Sequence, residues 1–165
     1  VVGYDGVDKR IDIISTSIKY HGKVTDLEEL HIAYAPPFAS AKDAINMLGY
    51  VAENVNNGYV KLMLPDEYEQ VKDNVITLDV REEIERKQSL INGSYHIPYG
   101  KLFERYNELD SNKPIVVYCA IGVRAYNSAR ILMQRGFKNV YVLSGGLSFY
   151  QYYCLNEELK NVCIG

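Results

Sequence analysis

Pro114-Ile115-Val116-Val117-Tyr118-Cys119-Ala120-Ile121-Gly122-Val123-Arg124 joins a near-continuous apolar run to a short loop holding a cysteine, a glycine and an arginine. A run of this length, rich in β-branched residues, reads as a strand buried on both faces, as in parallel sheets covered by helices. Past the loop, Ala129, Leu132 and Met133 recur at helical spacing from about Ala125 to Arg135, and Gly136 closes the pattern. A further apolar run, Asn139-Val140-Tyr141-Val142-Leu143, follows at once and ends in Gly145-Gly146. Strand, loop, helix and strand at this spacing make a βαβ unit, which predicts an α/β fold with a mostly parallel sheet flanked by helices. Such sheets bind ligands beyond the carboxyl ends of their strands, and Cys119 sits at one of those ends.

Upstream, Val75-Ile76-Thr77-Leu78-Asp79-Val80 reads as another short parallel strand. Before about Tyr59 the texture is helical. Asp8 to Tyr20 places Ile11, Ile14 and Ile18 at three- and four-residue spacing, and Thr25-Asp26-Leu27-Glu28-Glu29-Leu30 has the look of a helix start. Pro36-Pro37 stops what precedes it, Ser40 is the expected cap of a helix from about Ala41 to Val55, and Asn56-Asn57-Gly58 ends that helix. The expected organisation is a helical segment over 1–57, a linker over 58–69, an α/β domain over 70–155 and a tail over 156–165.

Composition narrows the class. No apolar run approaches the ~18 residues that cross a bilayer, so no membrane span is expected. A formal charge of -3 offers no clustered basic surface, which argues against nucleic acid. Three cysteines, Cys119, Cys154 and Cys163, are too few and too unevenly spaced for a disulfide framework or a metal site, and fit reduced thiols in a cytoplasm. The opening Val1-Val2-Gly3 has no initiator Met and no signal-sequence pattern, so the chain reads as a piece of something longer.

Thiol chemistry needs a thiolate, and an ordinary cysteine with a pKa near ~8.5 is mostly protonated at neutral pH. A loop that turns straight into a helix favours the anion through inward-pointing backbone N–H groups and the partial positive charge of the helix amino end. Gly122 allows the curl, and Arg124 adds a cation with a planar donor fork. An inert buried cysteine at a strand end is the alternative, but strand, cysteine, glycine, arginine and helix stand here in the order the chemistry needs. Cys154 and Cys163 lack that setting and read as bystanders.

At these residues the sequence resembles the rhodanese family. Leu78-Asp79-Val80-Arg81 with Glu82, Gly93-Ser94-Tyr95-His96-Ile97-Pro98, the Cys119–Arg124 loop and Leu143-Ser144-Gly145-Gly146-Leu147 match its four signatures in order. The resemblance implies Cys119 as the catalytic group and the stretch Ala120, Ile121, Gly122, Val123 and Arg124 as substrate-binding, with Asp79 and Arg81 in a supporting or structural role. Read without it, Asp79 and Arg81 simply pair or cap helices, His96 is a satisfied turn histidine and Gly145-Gly146 a tight turn. Related cell-cycle phosphatases place five residues between cysteine and arginine; here there are four, a smaller cradle suited to one sulfur atom. The apolar Ala120, Ile121 and Val123 and the lack of the acidic and hydroxyl groups that help a phosphoryl leaving group agree with that. The expected chemistry is a sulfur relay through a Cys119 persulfide, from thiosulfate, polysulfide, or coenzyme A or glutathione persulfide to thiol acceptors. An arsenate or phosphate-ester enzyme is disfavoured by the loop length, and a non-catalytic interaction and dimerisation module by the intact loop.

Residues 1–57 resemble the carboxyl-terminal dimerisation domain of pyridine-nucleotide-disulfide oxidoreductases of the coenzyme A-disulfide reductase and NADH oxidase branch. Gly6-Val7-Asp8-Lys9-Arg10-Ile11-Asp12, Leu27-Glu28-Glu29-Leu30 and Ala33-Tyr34-Ala35-Pro36-Pro37-Phe38-Ala39-Ser40-Ala41-Lys42-Asp43 carry the match, with Asn46-Met47. It implies a homodimer through this segment and a longer flavoenzyme using FAD, NAD(P)H and coenzyme A. No glycine-rich dinucleotide fingerprint occurs, so none of these cofactors is expected on this fragment. Phe38 stands where several relatives have a tyrosine near the partner's active site, and carries no predicted role. The helix over Asp8–Tyr20 is expected to show an exposed apolar face unless a partner covers it.

Overall fold

A computed structural model describes residues 3, 5–37 and 39–163, with side chains as far as 156. Phe38, and the side chain of Cys163, lie outside the described residues. The chain divides into two compact units, Val1–Tyr59 and Val60–Gly165. No helix among the described residues is long and apolar enough to cross a membrane.

The first unit consists of α1 (Val7–Lys19), a 3-10 segment Val24–Glu29 and α2 (Ala44–Asn56). α2 begins later than its expected cap at Ser40. Asp43 takes that place because its carboxylate does two jobs, accepting the Ile45 amide at 3.0 Å and a double hydrogen bond from Arg10 at 2.9 and 2.8 Å. Buried Asn46 ties α2 to the 3-10 turn by donating to the carbonyls of Leu27, Glu28 and Leu30. α1 falls where the helical spacing of Ile11, Ile14 and Ile18 predicts it; it buries none of its residues and leaves Ile11 and Ile18 exposed. Met47, Leu48, Val51 and Val55 of α2 are exposed as well.

In the second unit the strands are β1 (Leu62–Met63), β2 (Ile76–Asp79), β3 (Tyr95–His96), β4 (Ile115–Tyr118) and β5 (Val140–Leu143), all parallel in the order β1-β5-β4-β2-β3. β4 is central and buried along its whole length, which is why its sequence is an unbroken apolar run. Helices α3 (Pro65–Val71), α4 (Glu83–Arg86), α5 (Tyr99–Arg105), α6 (Val123–Gln134) and α7 (Gly146–Cys163) complete the unit. Strand side chains alternate between faces. Ile115, Val117 and then Cys119 share one core with Leu102 of α5 and Ala125, Ala129 and Leu132 of α6. Val116 and Tyr118 enter a second core with Tyr68 of α3 and Leu147 of α7. Two apolar layers thus grip β4, and its carboxyl end delivers Cys119 to the α5 and α6 side.

Two boundaries differ from the sequence reading. The stretch 58–69, expected as a linker, holds β1 and most of α3; Val60 and Tyr68 are buried, and the Tyr68 hydroxyl meets Thr77 Oγ1 at 2.8 Å. A two-residue strand shows no periodicity of its own. The expected tail, 156–165, is helical through Cys163 as the continuation of α7.

Candidate active site

β4 ends at Tyr118, so Cys119 is the first residue free of the ladder. Its side chain is buried at 1% exposure, and Sγ accepts a hydrogen bond from the Gly122 amide at 3.1 Å. The loop curls back on its own sulfur within three residues. Gly122 makes this curl with φ 138°, ψ -32°, where side chains with a Cβ are strained, and serves as the N-cap of α6. Ala120, Gly122 and Arg124 are half-buried, while Ile121 and Val123 are exposed on either side of the glycine.

The other side of the loop rests on α7. Leu147 and Ser148 donate their amides to the carbonyls of Cys119 and Ala120 at 2.9 and 3.1 Å. In a planar trans peptide the N–H points opposite to the C=O, so anchoring these two carbonyls turns the amides of Ala120 and Ile121 away from α7. The approach is so close that a Cβ on Gly146 would lie 2.6 Å from the Ala120 oxygen and 2.7 Å from that of Cys119. Gly145-Gly146 is therefore more than a tight turn: it lets a helix start dock on the cysteine loop.

Asp79 ends β2, in register with Tyr118 of β4, and Arg81 follows two residues on. Asp79 is fully buried and accepts from the Arg81 amide, Nε and Nη2 at 3.0, 2.9 and 2.7 Å, and from the Tyr118 hydroxyl at 2.8 Å. Arg86 Nη1 approaches the same carboxylate at 3.4 Å. Burial alone would raise the Asp79 carboxyl, but the hydrogen bonds from Arg81 and Tyr118 outweigh it and hold it below the usual range. Arg81 Nη2 also donates to the Ser89 carbonyl, and His96 Nε2 lies 2.8 Å from the Arg81 carbonyl oxygen. The two residues pair with each other, as one reading of the sequence had it. Through Tyr118 they brace the residue that precedes Cys119.

Arg124 stands in the first turn of α6, and the end-on face of its guanidinium is taken. Nη1 and Nη2 donate to Oε2 and Oε1 of Glu85 at 2.6 and 2.7 Å. The expectation that no acidic group adjoins the loop does not hold. Glu85, 39 positions away in sequence, carried no signal there beyond being one of three carboxylates in Glu82-Glu83-Ile84-Glu85. Hydrogen bonds from Arg124 hold its carboxyl down at about 2, against an opposing push from burial. Arg124 is raised in turn, first by Glu85, with the sulfur of Cys119 adding to the effect.

A glutamate held below its ordinary 4.5 contributes stability that is complete above that value and is lost as pH falls toward about 2. We therefore expect Glu85→Gln to lower stability by about 0.5–1 kcal/mol at neutral pH, the scale of a partly exposed bidentate pair. The difference should vanish as pH approaches about 2. Urea midpoints of both proteins across that range measure it, and a gap that stayed constant with pH would contradict it.

Comparison with known proteins agrees with the geometry. Residues 64–152 match the model of the rhodanese-like domain. Coenzyme A disulfide reductase of Staphylococcus epidermidis is 48% identical over 52 residues, 32% of this chain and 12% of the relative. The crystal structure of reduced Bacillus anthracis CoADR-RHD superposes with a TM-score of 0.83 at 42% identity, covering 88% of this chain and 26% of that one. A NAD-dependent persulfide reductase from A. fulgidus gives a TM-score of 0.77 at 38% identity, covering 89% and 26%. The chain thus spans about an eighth of the curated relatives' length and about a quarter of these two solved chains.

Proposed function

The chain belongs to the rhodanese-like domain family, and from that premise we propose that it is a sulfurtransferase module carrying sulfane sulfur as a persulfide of Cys119. The observation that carries this reading is the Gly122 amide on Cys119 Sγ at 3.1 Å, at the mouth of a loop that leads directly into α6. The amide gives the sulfur a hydrogen-bond donor, and α6 directs its amino end to the same place.

In the loading step the Cys119 thiolate attacks the outer sulfur of a donor R–S–SH. A bond forms between Sγ and that sulfur, and the donor's S–S bond breaks. The electron pair of the broken bond leaves on the carrier as R–S⁻, and Cys119 becomes Cys–S–SH. Unloading is the same exchange in reverse, with an acceptor thiolate taking the outer sulfur and Cys119 leaving as thiolate. No outside oxidant or reductant is consumed. The Gly122 amide, 3.1 Å from Sγ, stands beside the bond that forms and breaks.

Similarity to a coenzyme A disulfide reductase and a persulfide reductase supports a place within a longer flavin-dependent protein. The loops after β2, β4 and β5 carry no Gly-x-Gly-x-x-Gly turn, so we assign FAD, NAD(P)H and coenzyme A to other parts of such a protein. The exposed apolar residues of α1 and α2 support self-association through residues 1–57. A cytoplasmic setting suits reduced thiols.

Intact-mass analysis after incubation with polysulfide tests the reading. Wild type should gain one sulfur, ~32 Da, reversibly by thiol reductant, and Cys119→Ser should gain none. A wild type that stays unmodified at Cys119 would return the domain to a non-catalytic docking role.

A further inference from the structure

A guanidinium beside an anion-binding loop ordinarily draws oxyanions, because its planar fork matches sulfate and phosphate. Here both Nη atoms of Arg124 already donate to Glu85, at 2.6 and 2.7 Å. Glu85 is itself anchored, since Oε2 also accepts the Glu82 amide at 3.0 Å in the capping box of α4. Arg81 and Arg86 are committed to Asp79, and Arg86 also to Ser94. With Cys119 as thiolate, the three charges of Arg124, Glu85 and the sulfur leave the cradle one unit negative. An incoming group therefore meets a negative site in which the end-on Nη1/Nη2 face of Arg124 is already occupied.

We propose that Glu85 is the specificity-determining residue of the cradle: by filling the Arg124 fork it rejects dianionic oxyanion donors such as thiosulfate and admits hydropersulfides. The inference rests on the sulfurtransferase reading for its substrates, though not for its charge argument. With a hydropersulfide, the group that departs is a thiolate of charge minus one. With thiosulfate, Cys119–S⁻ would take the outer sulfur to give Cys–S–S⁻ while the S–S bond breaks and its electron pair leaves on sulfite, a dianion that would form beside the Glu85 carboxylate. Exposed Ile121 and Val123 at the rim agree, offering apolar contact and no further donor side chain.

The test uses this chain as wild type, Glu85→Gln, Glu85→Ala and Glu85→Asp. Sulfate protection of Cys119 against iodoacetamide, at matched ionic strength, reads oxyanion binding without any sulfur transfer. Glu85→Gln and Glu85→Ala should be protected at roughly tenfold lower sulfate than wild type, the effect of removing one nearby charge from a partly screened site. Glu85→Asp, which keeps the charge, should stay close to wild type. In turnover, the two neutral variants should raise kcat/KM for thiosulfate relative to that for 2-hydroxyethyl hydropersulfide by about tenfold. Equal sulfate protection in all four proteins would overturn the proposal, as would a parallel loss of kcat with both donors. Should no protein load sulfur from any donor, the sulfurtransferase reading falls, and the sulfate measurement still decides the role of Glu85.

Discussion

Gly146→Ala should slow sulfur loading of Cys119 by roughly a hundredfold, the cost of displacing a reacting group by about 1 Å. The new methyl would stand 2.6 and 2.7 Å from the carbonyl oxygens of Ala120 and Cys119, and backbone there has no flexible side chain to move aside. Gly146 also has φ 61°, which a residue with a Cβ adopts only at some strain. Relief requires the first turn of α7 to retreat, breaking the Leu147 and Ser148 hydrogen bonds to the loop. Stability should fall by about 2–4 kcal/mol, combining overpacking with unpaired carbonyls. Stopped loading assays and urea melts read the two effects separately. Wild-type loading in a folded Gly146→Ala protein would mean that α7 does not set the loop.

Asp79→Ala should be the most destabilising single change in the second unit. It strips the buried Arg81, 4% exposed, of its carboxylate and removes the charged acceptor of the Tyr118 hydroxyl. Breaking a buried pair by removing one partner costs about 3–5 kcal/mol, which for a domain of this size lowers the melting temperature by more than about 10 °C. Removing both charges with Asp79→Leu and Arg81→Met should recover part of the loss, because the uncompensated cation then disappears. Thermal melts of the single and double variants check this. A single variant within about 1 kcal/mol of wild type would deny the network its structural weight.

The elements legible in the sequence were those whose physics is local. β2, β4 and β5 announce themselves through β-branched runs, and α6 through its spacing. β1 and β3 have two residues each, too short for any period, and exist because a neighbouring strand offers hydrogen bonds. Ser40 is the cap expected from the sequence, and Asp43 takes its place in a capping box that Arg10, a partner 33 positions away, reinforces. The cysteine loop was readable for the opposite reason, since sulfur, glycine, arginine and helix start lie within a few residues. What surrounds it was not. Glu85 reaches Arg124, and Gly146 reaches the loop carbonyls, only once the parallel sheet has brought the ends of β2, β4 and β5 side by side.

The grip of α7 on the loop has a bearing on the order in which this protein comes into being. β2, β4 and α6 all lie upstream of the residues that hold the Cys119 and Ala120 carbonyls. A growing chain therefore exposes its cysteine well before it possesses the amides that shape the cradle, and only emergence of the chain past Ser148 completes it. Shaping of the loop is thus coupled to completion of the domain: the backbone around Cys119 takes its final form only once the first turn of α7 has followed the strands out of the ribosome.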